Sequence, residues 1–158
     1  MDVKKLLSSA FLCGGLITSF ASFAEGPHDD QIKARQAMFQ LYAYHSGLLG
    51  DMAKGDVEYD AEIALEAAKN LEAASKLGQS TFWPQGSDNS NSENARTRAL
   101  PEIWESFPDI LEKVDGLQKA ATALAAVAGD GVDALKAGMG DVGQACKACH
   151  QDFRAKKK

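Results

Sequence analysis

The sequence predicts an all-α chain folded as an antiparallel four-helix bundle. Three observations lead there. Apolar residues recur at helical spacing in four stretches, each long enough for several turns. No segment alternates apolar and polar residues with period two, and none is rich in β-branched residues. Two of the three connections are short and one is long, which suits helices that return beside one another. At 158 residues the chain has room for one core. A 45% share of hydrophobic residues argues against disorder as the global state. The formal net charge of -5 argues against nucleic acid as a partner, because phosphate binding needs a basic stripe.

Residues 1–24 read as a cleaved signal peptide. Lys4 and Lys5 give the positive start, Leu6 to Phe20 the apolar stretch, and Ser22-Phe23-Ala24 the small residues before cleavage. The apolar run is short for a membrane span, so no anchor is expected. A lipid-bearing Cys13 is disfavoured, since it sits inside the apolar stretch behind Leu12. The mature domain is then 25–158, with a net charge of about -6 after loss of Asp2, Lys4 and Lys5. Its destination is the periplasm, and its cysteines are Cys146 and Cys149.

The first helix starts near Pro27, with Asp29 and Asp30 at the positive end of its dipole. Ile32, Arg35, Met38, Phe39, Tyr42, His45, Leu49 and Met52 share one broad face, and Gly55 ends it. Asp60 is the expected N-cap of the second helix and Gly78 its stop, with Ile63, Ala67, Leu71 and Ala74 facing the core. Residues 79–98, rich in Ser, Asn and Asp around Pro84 and Gly86, form a long crossover pinned by Phe82 and Trp83. The third helix opens at Pro101-Glu102. Ile103, Trp104, Phe107, Ile110, Leu111 and Val114 begin its stripe, and Pro108 should kink it or split off a short first piece. After Gly129-Asp130-Gly131 the fourth helix carries Val132, Leu135, Met139, Val142, Cys146, Cys149, His150 and Phe153.

Cys146-Lys147-Ala148-Cys149-His150 is C-x-x-C-H, the attachment signature of c-type haem. Two thiols add across the two vinyl groups of the porphyrin, and the next histidine reaches the iron. The bundle is therefore expected to hold one covalent haem c. A thioredoxin-like motif would need strands, and zinc would need two more ligands. A plain disulfide would leave His150 unexplained. Only eight residues follow His150, and none is Met or His. A sixth ligand must come from elsewhere or be absent, the candidates being Met38, Met52, Met139 and His45. Met139, about 16 Å away along the same helix, cannot cross to the opposite haem face.

These features resemble the cytochrome c prime family. The resemblance rests on the C-terminal C-x-x-C-H and the bundle. It rests too on Arg35-Gln36, Pro101-Glu102-Ile103-Trp104, Asp141-Val142-Gly143 and Phe153-Arg154. It implies His150 on one haem face and no protein ligand on the other. Phe39, one turn after Arg35, would cover the open face as a steric cap. A cap without a strong donor disfavours dioxygen relative to nitric oxide or carbon monoxide, the gases such proteins bind. By the same resemblance Arg35 pairs with a haem propionate and Gln36 lies near the haem edge. Thr97, Arg98 and Glu102 approach the propionates, Phe153 flanks the haem, and Arg154 sits on the His150 side or belongs to a solvated basic tail. Related bundle cytochromes take a first-helix methionine as sixth ligand, which keeps Met38 open as the rival to Phe39. The two lie about 100° apart on the helix, so both cannot face the iron. His45 is expected in partly polar surroundings. Tyr42, Tyr44 and Leu48 are candidates for a homodimer face. The implied roles are electron exchange with redox proteins and binding of the two gases, and not enzymatic turnover, which would want a distal acid–base group.

Overall fold

The computed structural model describes residues 26–157; the leader, Cys13 and the cleavage point lie outside them. Its helices are α1 (Asp29–Lys54), α2 (Ala61–Ser75), α3 (Glu102–Glu105), α4 (Phe107–Val127) and α5 (Val132–Phe153), with a 3-10 turn at Ser80–Phe82. Among the described residues there is no strand, only an isolated bridge between Ala99 and Arg154. The four long helices form the expected bundle in the cyclic order α1, α2, α4, α5.

Cross-helix contacts show that neighbours run antiparallel. The Tyr42 hydroxyl donates to the Ala74 carbonyl near the end of α2 (3.1 Å). Tyr59, just before α2, donates to the Ala128 carbonyl at the far end of α4 (2.9 Å), and the Gly131 amide donates to the same hydroxyl (3.0 Å). At the other end, Gln118 of α4 donates to the Ser75 carbonyl that closes α2 (2.9 Å). Gly138 of α5 packs so closely on Leu124 of α4 that a Cβ there would stand 2.7 Å from a Leu124 methyl. Absence of a side chain is what lets α4 and α5 approach.

Helix ends follow local chemistry. Asp60 accepts from the Glu62 and Ile63 amides, a cap worth about 1 kcal/mol. Gly55 ends α1 at φ 81, in the left-handed region. One expectation needs correction. The second helix stops at Ser75, three residues before Gly78, where the Ser75 hydroxyl donates back to the Glu72 carbonyl (2.7 Å). Of the two outcomes expected at Pro108, a kink or a short first piece split off, the second holds: α3 is that piece. Ser106 (φ -117, ψ 48) breaks the chain first, and Pro108 falls in the first turn of α4, where its missing N–H costs nothing.

The main core joins Met38, Tyr42, Leu49, Leu71, Leu124, Leu135 and Val142, with Cys146 packed against it. A second, smaller cluster joins Ile103, Ile110 and Phe153, with Trp83, Trp104, Val114 and Cys149 against it. Three residues placed on core faces by periodicity are instead exposed: Ile63, Phe107 and Leu111. Leu111 lies seven residues before Gln118, and Phe107 four before that, so both continue the stripe of α4 that faces α2. Because α2 has already ended opposite Gln118, nothing from that helix covers them.

Candidate functional site

The C-x-x-C-H segment occupies the last two turns of α5. Cys146, Cys149 and His150 fall within about 100° of one another on the helix, on the side that carries Val142 and Phe153 inward. All three are half-buried, and the two sulfurs are not joined in a disulfide. Burial pushes both thiols up, with Arg154 opposing it at Cys146. Both are therefore protonated at neutral pH. Burial also lowers His150, helped by the positive charges of Arg154 and Arg98, so its imidazole is neutral there. A neutral imidazole with a free lone pair is the ligating form. Arg154 Nη1 stands 3.4 Å from His150 Nε2. A guanidinium only donates, so Nε2 is the acceptor in that contact.

Register sets what faces these groups. Gly50 of α1 lies against Met139 of α5, and Tyr42 is near enough to Cys146 that the thiolate charge, after burial itself, helps push its phenol up to about 12. Three residues further along this antiparallel pair, Phe39 arrives at the level of Cys149 and His150. Phe39 is 39% exposed, and its ring stands edge-on to Tyr42 (5.6 Å) and Trp83 (6.2 Å). Trp83 in turn neighbours Trp104 (6.3 Å), whose indole donates to the Trp83 carbonyl (3.1 Å). Met38, about 100° round the helix, is 4% exposed in the main core, the cluster against which Cys146 packs.

Arg35 is 2% exposed and organises the crossover. Its guanidinium donates to the Phe82 carbonyl (3.2 Å), the Ser87 hydroxyl (2.7 Å), the Ser87 carbonyl and the Thr97 hydroxyl (3.1 Å), and lies 4.5 Å over the Trp83 ring. Burial lowers its pKa to about 10, partly offset by Asp88, which leaves it charged at neutral pH. Any propionate pairing would have to share donors already given to residues 82, 87 and 97. Gln36 donates to the Arg96 carbonyl (2.8 Å). Arg98 donates to the Ala155 carbonyl and thereby ties the crossover to the C-terminal tail. Glu102 is exposed at the start of α3. Phe153 is buried in the cluster that receives Cys149. The expected site residues thus fall into local groups: Arg35 with Thr97, Gln36 with the crossover backbone, His150 with Arg154, and Cys149 with Phe153.

Tyr42 is corrected as a dimer-face residue: it is 7% exposed and packs inside the bundle. Tyr44, at 66% exposed, remains on the outer side of α1, whereas Leu48 is half-buried against the main core. His45 is half-buried, its ring edge-on to Tyr44 (5.1 Å) and its Nδ1 without a hydrogen-bond partner. Sequence reasoning gave no role to Trp104 beyond the core stripe, nor any to Ser87 and Asp88. The signal for Trp104 was its place beside Pro101 and Glu102. Ser87 and Asp88 carried none.

The residues fit a flat apolar cofactor. Two thiols and a neutral imidazole stand among apolar side chains: Cys146 packs on the main core, and Cys149 packs on Ile103, Ile110 and Phe153 beside Trp83 and Trp104. They do not fit a metal ion alone. Among the described residues no three His, Cys, Asp or Glu side chains gather to hold one. A hollow between α4 and α5, lined by Gly116, Ala145 and Ala148, opens on the opposite face of α5 and does not reach the thiols.

A family model described as Cytochrome C' matches residues 30–154. Cytochrome c-554 of Cereibacter sphaeroides is 38% identical over 125 residues, covering 79% of this chain and 80% of that protein. Cytochrome c' of Halomonas halodenitrificans is 34% identical over 129 residues, covering 80% of this chain and 97% of that one. The solved cytochrome c' of Rhodobacter sphaeroides superposes with a TM-score of 0.78 at 34% identity, over 81% of this chain and 97% of the other. Among the other solved relatives, a ferrous variant from Alcaligenes xylosoxidans has bound NO, and another cytochrome c' shows ligand-controlled dimer dissociation. With that coverage and identity behind the geometry, the chain belongs to the cytochrome c prime family and binds haem c.

Proposed function

We propose that the mature chain is a periplasmic haem protein whose iron is held on one side only, by His150, with Cys146 and Cys149 forming the thioethers. Bound haem c would supply a one-electron couple and an iron that can take up diatomic gases. The chain's residues set the terms of its use. Phe39, a ring with no hydrogen-bond donor, caps the side away from His150 and favours nitric oxide or carbon monoxide over dioxygen. Arg154 stands at the imidazole side. Trp83 and Trp104, held by Arg35 and the crossover, screen one flank from water. Among the described residues the next histidine along α1, His45, is about 9 Å beyond Phe39, and the Tyr42 phenol beside Phe39 is held protonated with its hydroxyl given to the Ala74 carbonyl. We therefore assign electron exchange with redox proteins and gas binding, not catalysis. Exposed Tyr44 supports a homodimer contact through α1.

The observation that carries this reading is the placement of Phe39 on the open side of α1 while Met38 is buried in the core. A second reading, a six-coordinate electron carrier with Met38 bound, is favoured by one fact: Met38 shares its cluster with Cys146. Gas-binding kinetics of the ferrous holoprotein separate the two. Phe39→Ala should speed entry of carbon monoxide and nitric oxide several-fold. Unchanged kinetics would remove the cap, and slow binding accelerated by Met38→Ala would favour the second reading.

A further inference from the structure

Phe39 is exposed on α1, so burial alone does not fix the rotamer of its ring. Two edge-on neighbours flank it: Tyr42, one turn further along α1, and Trp83 in the crossover. Tyr42 is buried in the main core. Trp83 has no helix beneath it and follows a single 3-10 turn, Ser80–Phe82. Its face lies under the Arg35 guanidinium, and its carbonyl accepts from the Trp104 indole. The edge of its ring is tied to Gln79. The Phe82 amide donates to the Gln79 carbonyl (2.9 Å), and this turn brings residues 79 and 83 together. The Trp83 indole N–H then donates to Gln79 Oε1 (3.4 Å). An indole nitrogen only donates, so the amide oxygen must face it. That turns Gln79 Nε2 to the Tyr42 hydroxyl, to which it donates (3.4 Å). The Tyr42 hydroxyl in turn donates to the Ala74 carbonyl. The chain of bonds therefore runs one way, from Trp83 through Gln79 and Tyr42 to the end of α2. Both bonds of the Gln79 amide are long and individually weak. What they join is specific: the two rings on either side of Phe39.

We propose that Gln79 is a positioning residue for gas binding: it clamps Tyr42 and Trp83 at the spacing that holds Phe39 over the open haem face. The inference rests on the cap reading above. Gln79 acts through Phe39 and makes no contact with the gas. Removing the clamp lets Trp83 turn about its side-chain bonds, and the exposed Phe39 ring then has room to swing aside. Ligand entry speeds up, while His150 and its side of the haem are left as they were.

The test is a mutant cycle on the ferrous holoprotein, read by the rate of carbon monoxide association. Gln79→Met keeps the length of the side chain and removes both bonds. It should raise the association rate about threefold, with the denaturation midpoint nearly unchanged. In a Phe39→Ala background the same change should have no further effect, because the ring it holds is gone. A residue with a merely structural role would add its effect in both backgrounds. The contact itself is read in the carbon monoxide complex, which is diamagnetic, from the indole N–H resonances. Gln79→Met should move the Trp83 resonance and leave that of Trp104, whose partner is a backbone carbonyl. A native rate in Gln79→Met beside a fast Phe39→Ala would overturn the proposal. So would a rate increase that persists in the Phe39→Ala background, or a Trp83 resonance that does not move. An unchanged rate in Phe39→Ala would instead mark failure of the cap reading, and of the proposal with it, even where the Trp83 resonance moves.

Discussion

Replacing Arg35 by leucine should loosen the crossover without emptying the core. Arg35 makes four hydrogen bonds to residues 82, 87 and 97 and stacks on Trp83. Leucine removes all of them. Two carbonyls, of Phe82 and of the fully buried Ser87, then lose a charged donor, at about 1–3 kcal/mol each. Loss of the cation–π contact adds about 1 kcal/mol. Against this, the leucine side chain regains about 1–2 kcal/mol of apolar burial and carries no buried charge. The balance is about 3 kcal/mol of destabilisation, or a fall in Tm of about 10 °C for a chain of this size. Arg35 is charged in both folded and unfolded chains at neutral pH, so the loss should not vary with pH there. Guanidinium unfolding of the holoprotein by far-UV circular dichroism measures the energy, and amide exchange over residues 82–99 locates it. A loss below about 1 kcal/mol, or exchange in the crossover no faster than in the native protein, would refute the account of Arg35 as its anchor.

Three other outcomes follow from the same geometry. Gly138→Val should cost about 1–3 kcal/mol in chemical denaturation, since its Cβ would start 2.7 Å from a Leu124 methyl and branch further into α4. Burial raises the Asp88 carboxyl, but the Ser90 hydroxyl and amide and the Arg35 charge outweigh it and hold the group below its ordinary value of 3.8. Its folded-state pKa is depressed, so its contribution is present above about pH 4 and lost as pH falls below that. Asp88→Asn should therefore flatten the acid limb of the stability profile, and an unchanged limb would sink this assignment. Thiol titration of the purified holoprotein should find no free sulfhydryl. One reactive thiol per chain would mean that Cys146 or Cys149 is not bonded to haem.

Much of this was legible in the residues because the informative signals are local. Gly55 and Asp60 mark helix ends through their own backbone and side chain, and the C-x-x-C-H spacing needs only one helix. What failed depended on distant partners. Periodicity put Phe107 and Leu111 on a core stripe but could not show that α2 ends opposite Gln118. Tyr42 could be read both on the apolar face of α1 and on a dimer face until the Ala74 carbonyl, 32 positions away, was found to accept its hydroxyl hydrogen bond. The burial of Arg35 was expected. Its ligands, 47 to 62 positions along the chain, were not, because a crossover of Ser, Asn and Gly carries no period that would fix where its carbonyls point.

The central claim is that Phe39, and no ligating side chain, faces the iron opposite His150. Electron-spin resonance of the ferric holoprotein, read with its optical spectrum, tests this directly. A high-spin signal without a methionine-to-iron charge-transfer band is the expected result. A low-spin signal that disappears in Met38→Ala would contradict it.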